Sequence, residues 1–306
     1  MAKSKIEWTE RTLNPLAGCA IVSAGCTHCY AMRMAHRLEA MGQAKYKGLT
    51  KVVNGNVVWT GKINLDENAL QEPMRRRKPT MYFVDSMSDL FHENVPAPFI
   101  LDVFTAMANT PQHTYQVLTK RPKRMSELMP SILEELDNLR IDHIWLGVSV
   151  ENQTTADERI PLLLKTPAAV RFLSCEPLLS DIDLNLYLWR GNAQSLVPDD
   201  RLNWIICGGE SGPGARPMNP CWARNLRDQA TAAGVPFFFK QFGEWFPRDQ
   251  WEYNPELVLP DDCDSYTESA TTHVFPDNNP VHRVGKHAAG RLLDGREWNE
   301  YPEVKP

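Results

Sequence analysis

The sequence predicts an α/β protein built as a partial (β/α) barrel, similar to a TIM barrel, with about six parallel strands. From about residue 80, short apolar runs alternate with longer amphipathic stretches, as in a parallel sheet with crossover helices. The runs are rich in β-branched and aromatic residues and mostly apolar on both faces, as strands covered on both sides require. They occupy residues 81–84, 114–118, 144–148, 170–173, 204–207 and 236–239.

Polar side chains follow nearly every run, and they favour a barrel over an open doubly wound sheet. Functional groups in a barrel come from the ends of several strands, whereas in an open sheet they gather near one switch point. Helical patterns at residues 100–107 and 222–229 supply two of the crossovers. The polar residues after the six runs are Asp85 and Ser86; Thr119, Lys120 and Arg121; Ser149 and Glu151; Ser174, Cys175 and Glu176; Gly208 to Ser211; and Lys240 and Gln241.

The two ends of the chain depart from this alternation. Residues 31–38 form a helical pattern, and residues 51–64 predict a β-hairpin insertion, because Asn54-Gly55 supplies the positive φ values of a type I′ turn. We expect the barrel and its hairpin to occupy residues 1–245. Residues 246–306 predict an irregular C-terminal extension that packs on the barrel.

Composition and charge narrow the classes of protein. The 306 residues are 42% hydrophobic and 23% charged, which is typical of a chain with a substantial core. No apolar run of about 18 residues occurs, and the N-terminus lacks the apolar segment of a signal peptide, so we expect a cytoplasmic protein with no membrane partner. A net charge of −5 excludes a general basic coat for nucleic acid, although clusters at 75–78 and 120–124 offer local contacts or solvated loop faces.

Three of the seven cysteines lie within eleven residues, in the pattern C-x6-C-x2-C-Y formed by Cys19, Cys26, Cys29 and Tyr30. Such clustering in a cytosolic chain indicates a metal site or catalysis better than a disulfide framework. Three thiolates suit an iron–sulfur cluster and leave one iron open to an exogenous ligand. A zinc site is the alternative, with His28 or a distant cysteine as fourth ligand. The other four cysteines are scattered, at Cys175, Cys207, Cys221 and Cys263.

The cysteine motif, the aromatic Tyr30, the helix after it and the later βα alternation resemble the radical S-adenosylmethionine (SAM) superfamily. The first spacing departs from the usual C-x3-C-x2-C, with six residues in place of three. Residues 6–9, 86–91 and 285–298 further resemble a phage- and bacteria-associated three-Cys-motif family of unknown function. The resemblance implies a 4Fe–4S cluster on Cys19, Cys26 and Cys29, with SAM bound at its open iron. It also implies a 5′-deoxyadenosyl radical that abstracts hydrogen, and an external electron donor similar to flavodoxin or ferredoxin.

The resemblance also implies roles at the strand ends. Tyr30, Asp85 and Ser86 are expected near SAM, with Asp85 as partner for its ammonium. Lys120 or Arg121 is expected at its carboxylate, and Ser149 and Glu151 at its ribose or carboxylate. Glu176 is expected to face the barrel mouth. Lys240 is the expected substrate contact, and Cys175 is either a hydrogen-atom donor or a buried packing residue.

The substrate is not determined by these patterns. The basic clusters, together with the association with phage, favour modification or repair of a nucleic acid. The candidates for neutralising its phosphates are Arg75, Arg76, Arg77, Lys123 and Arg124. The rival hypothesis is a zinc- or cluster-stabilised nucleic-acid-binding module without catalysis. The sequence leaves the oligomeric state open.

Overall fold

A computed structural model describes residues 4–137, 139–188, 201–254, 256–257 and 269–303. Cys263 and part of the expected extension lie outside the described residues. Within these ranges, no helix has both the length and the apolar character needed to cross a membrane.

The strands and helices follow the predicted alternation. The strands are β1 (Arg11–Leu13), β2 (Leu16–Ala17), β3 (Thr50–Val53), β4 (Asn56–Trp59), β5 (Asn64–Leu65), β6 (Met81–Val84), β7 (Thr114–Thr119), β8 (Ile144–Ser149), β9 (Arg171–Cys175), β10 (Trp204–Gly208), β11 (Phe237–Gln241), β12 (Trp245–Pro247), β13 (Thr272–Val274) and β14 (Pro280–Arg283). The helices are α1 (Tyr30–Ala40), α2 (Gln71–Arg75), α3 (Ala97–Ala108), α4 (Pro122–Glu135), α5 (Gln153–Lys165), α6 (Asn185–Leu188), α7 (Pro220–Ala232) and α8 (Lys286–Ala289).

Seven parallel strands form the main sheet, in the order β1-β6-β7-β8-β9-β10-β11. Within this sheet, each strand from β6 onward follows the previous strand of the sheet through a connection that carries helix, so the partial α/β barrel expected from the sequence is confirmed. All six predicted runs are strands of this sheet. The seventh strand, β1, has only three residues, and two of them are half-exposed, so it gives no apolar run.

The helices begin where their sequences provide suitable first turns. Pro122 opens α4 and Pro220 opens α7, at positions where the missing backbone N–H costs nothing. Asn219 caps α7, because its Oδ1 accepts a hydrogen bond of 2.9 Å from the backbone N of Cys221. The predicted helical segments at 31–38, 100–107 and 222–229 are parts of α1, α3 and α7.

The chain divides into two compact units, which are described separately. The first comprises residues 1–149, 158–172 and 303–306, and the second comprises residues 150–157 and 173–302. The division does not bear on the domain boundary expected near residue 245, which stays a prediction.

Aromatic packing and a buried hydrogen bond organise the core of the first unit. The ring of Trp8 lies 4.7 Å from that of Phe83 in β6 and 6.5 Å from that of Phe172 in β9. Gln116 in β7 is fully buried, and its amide nitrogen donates to the carbonyl of Trp8 at 3.2 Å. These contacts fix the segment before β1 against the sheet.

The predicted hairpin is present as β3 and β4, which pair antiparallel across Asn54-Gly55. Both turn residues have positive φ, 48° and 77°, as the type I′ turn requires. The hairpin packs with α1 and with the loop after β2 in one apolar cluster, against which Cys19 and Cys29 also lie. Its buried members are Ala17, Ala31, Met32, Ala35, Tyr46, Leu49, Trp59 and Met87.

The second unit includes the β10–β11 pair and a small antiparallel sheet in the order β12-β14-β13. Trp245, Phe275 and Val281 form the apolar core of the small sheet, with Trp222 of α7 packed against it. The extension expected to be irregular therefore contains regular strands. Its Pro-, Asp- and Asn-rich composition concealed them, because each strand is only three or four residues long.

Candidate functional site

The three clustered cysteines lie on one loop that begins after β2 and ends at the first turn of α1. Cys19 comes two residues after β2, Cys26 ends a short 3-10 turn, and Cys29 is the N-cap residue of α1. Cys26 is buried, and the other two are partly exposed. The loop therefore follows the carboxyl end of β1, the edge of a parallel barrel sheet at which active sites are built.

Gly18 allows this loop to approach the loop after β6. Its φ of +105° is in the left-handed region, and an added Cβ would lie 2.2 Å from the carbonyl oxygen of Lys62, so only glycine fits. Its backbone N donates to the carbonyl of Met87 at 3.2 Å, and it forms a parallel bridge with Ser88. The cysteine loop is thus tied to residues 85–89.

The segment after β6 is ordered by its own hydroxyl groups. The hydroxyl of Ser88 donates to Oδ1 of Asp85 at 2.9 Å, and that of Ser86 donates to Oδ1 of Asn14 at 3.1 Å. The Tyr30 hydroxyl donates to the carbonyl of Ser86 at 3.0 Å. Three predicted site residues of the first unit, Tyr30, Asp85 and Ser86, are therefore brought together next to the cysteine loop.

Burial changes the protonation of Asp85. Desolvation raises the pKa of its carboxyl to about 8, Asp89 raises it further, and the Ser88 hydrogen bond opposes the shift. Its Oδ2 atom is buried and has no hydrogen-bond partner within the described residues. The carboxyl is therefore largely protonated at neutral pH, and a cation placed beside it would favour the ionised form.

Asp89 connects the loop after β6 with the loop after β7. Its Oδ1 accepts hydrogen bonds from the hydroxyl of Thr119 at 2.7 Å and the backbone N of Phe91 at 3.0 Å. Its Oδ2 accepts from the backbone N of Lys120 and from Nη1 of Arg121, both at 3.0 Å. We did not expect this role from the sequence. The available signal was the position of Asp89 just after a strand end, four residues beyond Asp85.

The buried guanidinium of Arg121 lies next to the cysteine loop. Its Nε donates to both carboxylate oxygens of Glu93 at 2.9 and 3.0 Å, and its Nη1 lies 3.8 Å from Sγ of Cys19. Burial lowers its pKa, but the charges of Asp89, Cys19 and Glu93 outweigh burial and raise it. The guanidinium is permanently charged, and its buried Nη2 has no hydrogen-bond partner in the described part of the chain.

Burial makes the thiolate forms of two cysteines unfavourable. Desolvation raises the pKa of Cys19 to about 12, Asp89 adds to the shift, and Arg121 partly offsets it. Desolvation also raises the pKa of Cys29, although the backbone N–H groups of Met32 and Ala31 lower it at the start of α1. Cys26 raises and Lys120 lowers the pKa of Cys29. Thiolates at these positions therefore require an added positive charge.

The first unit holds two other predicted residues. The side chain of Lys120 is partly exposed and acts electrostatically on Cys29. Ser149 is buried at the end of β8, and its carbonyl oxygen accepts a hydrogen bond of 2.8 Å from Nη1 of Arg159. Lys120 is thus adjacent to the cysteine loop, whereas Ser149 contributes a backbone contact.

The second unit contains the remaining predicted residues. Glu151 and Cys175 are completely buried, and burial followed by the charges of Glu176 and Glu151 raises the pKa of Cys175. Lys240 forms an ion pair with Glu176, with 2.8 Å between Nζ and Oε1. Gly208 lies beside this pair, and a Cβ there would come within 3.0 Å of Oε1 of Glu176. Cys175, Glu176 and Lys240 thus cluster at the carboxyl ends of β9 and β11.

The basic residues expected at phosphates lie at two edges of the sheet. Arg75, Arg76 and Arg77 precede β6 and stand at its amino end, opposite the end that the cysteine loop follows. Lys123 is exposed near the start of α4, beyond the carboxyl end of β7. Arg124 donates hydrogen bonds to the carbonyls of His92 and Val95, so its guanidinium is engaged within the protein.

The cysteine sulfurs have separate neighbours. Cys19 faces Arg121, and Sγ of Cys26 lies 3.8 Å from the hydroxyl of Ser23. In the described residues, no group of three or more His, Cys, Asp or Glu side chains is arranged to hold a metal ion. A shared metal on Cys19, Cys26 and Cys29 stays a prediction.

Several solved structures share a distant likeness in fold. A cysteine-to-serine mutant of spore photoproduct lyase gives a TM-score of 0.40 at 10% identity, covering 92% of this chain and 70% of that one. The lyase complexed with dinucleoside spore photoproduct gives 0.40 at 11% identity, covering 92% and 71%. A double mutant of it with bound AdoMet and the same dinucleoside gives 0.39 at 10% identity, covering 90% and 68%. Likenesses at this level carry no conclusion about the function of this chain.

No curated protein matches the sequence. The family described as "Protein of unknown function (DUF5131)" matches residues 3–302, nearly the whole chain. That description does not support the three-Cys-motif family expected from the sequence. Because the match covers nearly the whole chain, the chain belongs to the DUF5131 family.

Proposed function

We propose that this protein is a radical SAM enzyme whose 4Fe–4S cluster is held by Cys19, Cys26 and Cys29. The observation that carries the proposal is the position of these thiols. They lie on one loop after the first strand of a partial barrel, tied through Gly18 to the loop after β6. Active sites of (β/α) barrels lie at this edge of the sheet.

The chemistry of the donor set fits an iron–sulfur cluster. The cysteine loop supplies three thiols, and His28 is its only other side chain of a type that commonly binds metal. Iron–sulfur clusters are bound chiefly by thiolates. The buried thiols of Cys19 and Cys29 have raised pKa values, so their thiolates require the positive charge that iron brings. When bound, the cluster and SAM supply a 5′-deoxyadenosyl radical for hydrogen abstraction from the substrate.

The chain's own residues would bind and orient SAM. Asp85 is a buried carboxyl with one unpartnered oxygen, which suits an ammonium group because a cation would compensate its ionisation. Lys120 brings positive charge to the cysteine loop, as a carboxylate requires, whereas the guanidinium of Arg121 is already engaged by Asp89 and Glu93. Tyr30 fixes the position of Ser86 through its hydroxyl. The roles of Ser149, Glu151, Cys175, Glu176 and Lys240 stay predictions.

Reduction needs an external one-electron donor similar to flavodoxin or ferredoxin. The substrate class that we propose is nucleic acid, undergoing modification or repair. The support is Lys123, an exposed basic residue near the start of α4 on the side of the sheet that the cysteine loop follows. A net charge of −5 favours a short local contact over a long groove.

Anaerobic reconstitution with iron and sulfide tests the proposal. We expect a brown protein with absorbance near 400 nm that, with dithionite and SAM, releases 5′-deoxyadenosine and methionine. The matched control is the Cys26→Ala variant treated in the same way, which should remain colourless and release neither product. A colourless wild-type protein that binds zinc would instead support the rival, a nucleic-acid-binding module without catalysis.

A further inference from the structure

We infer that Arg121 is a positioning residue for the proposed cluster. Its Nη1–H donates a hydrogen bond to Sγ of Cys19, and its positive charge raises the reduction potential of the cluster. The inference rests on the proposed function. Its geometric basis is the 3.8 Å between Nη1 and Sγ, within hydrogen-bond range for a sulfur acceptor. Arg121 comes from the loop after β7, a segment far from Cys19 in sequence.

The guanidinium is held so that it cannot turn into solvent. Its side chain is only 5% exposed. Nη1 is also bound by Oδ2 of Asp89 at 3.0 Å, and Nε is bound by the carboxylate of Glu93. Asp89 is itself fixed by Thr119 and by the backbone of Lys120. A charged donor held by two carboxylates of the neighbouring loop, the one after β6, acts as a fixed electrostatic element beside Cys19.

A second donor of the same group is unused. The buried Nη2 of Arg121 has no hydrogen-bond partner in the described ranges, although buried donors are nearly always paired. An electron-rich acceptor next to Cys19, such as a cluster sulfide, would satisfy it.

The direction of the effect follows from charge. One-electron reduction adds a negative charge to the cluster and its thiolates. A cation and its N–H groups stabilise the reduced form more than the oxidised form, so the midpoint potential rises. Glu93 opposes this effect, because its carboxylate partly neutralises the guanidinium. Removing the cation and removing its carboxylate partner should therefore shift the potential in opposite directions.

The test compares midpoint potentials of reconstituted proteins by spectroelectrochemistry, with iron and sulfide counted for each. We expect Arg121→Gln to lower the potential, Arg121→Lys to lower it less, and Glu93→Gln to raise it modestly. Glu93 is 64% exposed, so its replacement should not disturb folding and keeps the test valid if Arg121→Gln loses its cluster. The matched controls are the exposed Arg140→Gln and Glu135→Gln, the latter at the far end of α4, and both should leave the potential unchanged.

The outcomes separate the two proposals. A wild-type protein that assembles no cluster overturns the proposed function and, with it, this inference. If the wild-type protein assembles the cluster, and the midpoint potential is unchanged in Glu93→Gln and in every Arg121 variant that retains the cluster, only the role of Arg121 is overturned. Opposite shifts in the Arg121 and Glu93 variants, with unshifted controls, support the inference because a purely structural role predicts no such pair of signs.

Discussion

The ammonium of Lys240 lies 2.8 Å from Oε1 of Glu176, and the two side chains meet beside the α-carbon of Gly208. The three residues stand at the ends of β9, β10 and β11, which are neighbours in that order. Glycine in the central strand leaves the space that the pair occupies. The pair is mostly shielded from water, with side chains 20% and 13% exposed.

Breaking this pair on one side should destabilise the protein. Lys240→Met leaves the Glu176 carboxylate without its cation, and we expect a loss of about 1–3 kcal/mol in the free energy of unfolding, below the full cost for a deeply buried pair because some exposure remains. Denaturant unfolding at neutral pH measures it. The control Lys165→Met removes an exposed lysine at the end of α5 and should change stability little.

Glu176→Gln alone and the double variant Glu176→Gln/Lys240→Met complete a mutant cycle. The double variant should recover part of the stability lost in Lys240→Met, because the uncompensated carboxylate is then absent. Strictly additive effects of the two substitutions would show that the pair contributes no coupling energy.

Asp85 should make stability fall as pH rises from about 4 to 8. Burial raises the pKa of its carboxyl to about 8 in the folded protein, while the unfolded chain titrates near its ordinary value of about 4. Between these values the folded state binds the extra proton, so the free energy of unfolding decreases as pH increases and then levels above pH 8. The loss comes from ionising a buried carboxyl.

Asp85→Asn should remove this dependence and raise stability at pH 9 by at least about 2 kcal/mol relative to wild type. Asparagine tolerates the φ of 63° at this position and keeps an oxygen that can accept from Ser88. Unfolding curves between pH 5 and 9 measure the slope. Asp102→Asn, an exposed position in α3, should leave the slope as in wild type. An unchanged slope in Asp85→Asn would mean that Asp85 is ionised in the folded protein.

The fold was accessible from the sequence because its signals are local. Six runs such as residues 204–207 are apolar on both faces, and the Asn54-Gly55 turn fixes the hairpin from two residues. The three-residue β1 carries no such run and was missed. It is defined by pairing with β6, a contact about seventy residues away in the chain.

The candidate site was accessible only in part. The cysteine spacing is a local pattern, and the strand ends identify Asp85 and Lys120. The pairing of Asp89 with Arg121 joins two loops across neighbouring strands, and nothing in local periodicity specifies which carboxylate meets which guanidinium. Glu93 was missed for the same reason.

Each cysteine of the motif should be essential for iron. Cys19→Ala, Cys26→Ala and Cys29→Ala each remove one of the three proposed thiolate ligands, so we expect iron per chain to fall to near zero after reconstitution and gel filtration. Cys207→Ala should keep the wild-type iron content, because that thiol is fully buried in β10 and serves packing. Cys207→Ala should instead lower the free energy of unfolding. Iron loss in Cys207→Ala with a folded chain would contradict the three-ligand assignment.

The last prediction concerns a nucleic-acid substrate. If it reaches the cysteine loop, its phosphates should be neutralised by Lys123 at the carboxyl edge of the sheet, and not by Arg75 at the amino edge. Each phosphate contact contributes roughly −0.7 to −0.9 to the slope of log K against log salt concentration. Lys123→Gln should therefore flatten the slope by about 0.7 to 0.9.

The matched control is Arg75→Gln, which removes one exposed charge and should leave the slope as in wild type. Fluorescence anisotropy with a short labelled single strand and a short duplex, across a salt series, measures both variants against the reconstituted wild type. Equal flattening by Lys123→Gln and Arg75→Gln would indicate a diffuse electrostatic field in place of a contact at the carboxyl edge of the sheet. Absence of binding to DNA and RNA at low salt would exclude nucleic acid and direct the search to a peptide or a small molecule, because the proposed radical chemistry itself requires no phosphate contact.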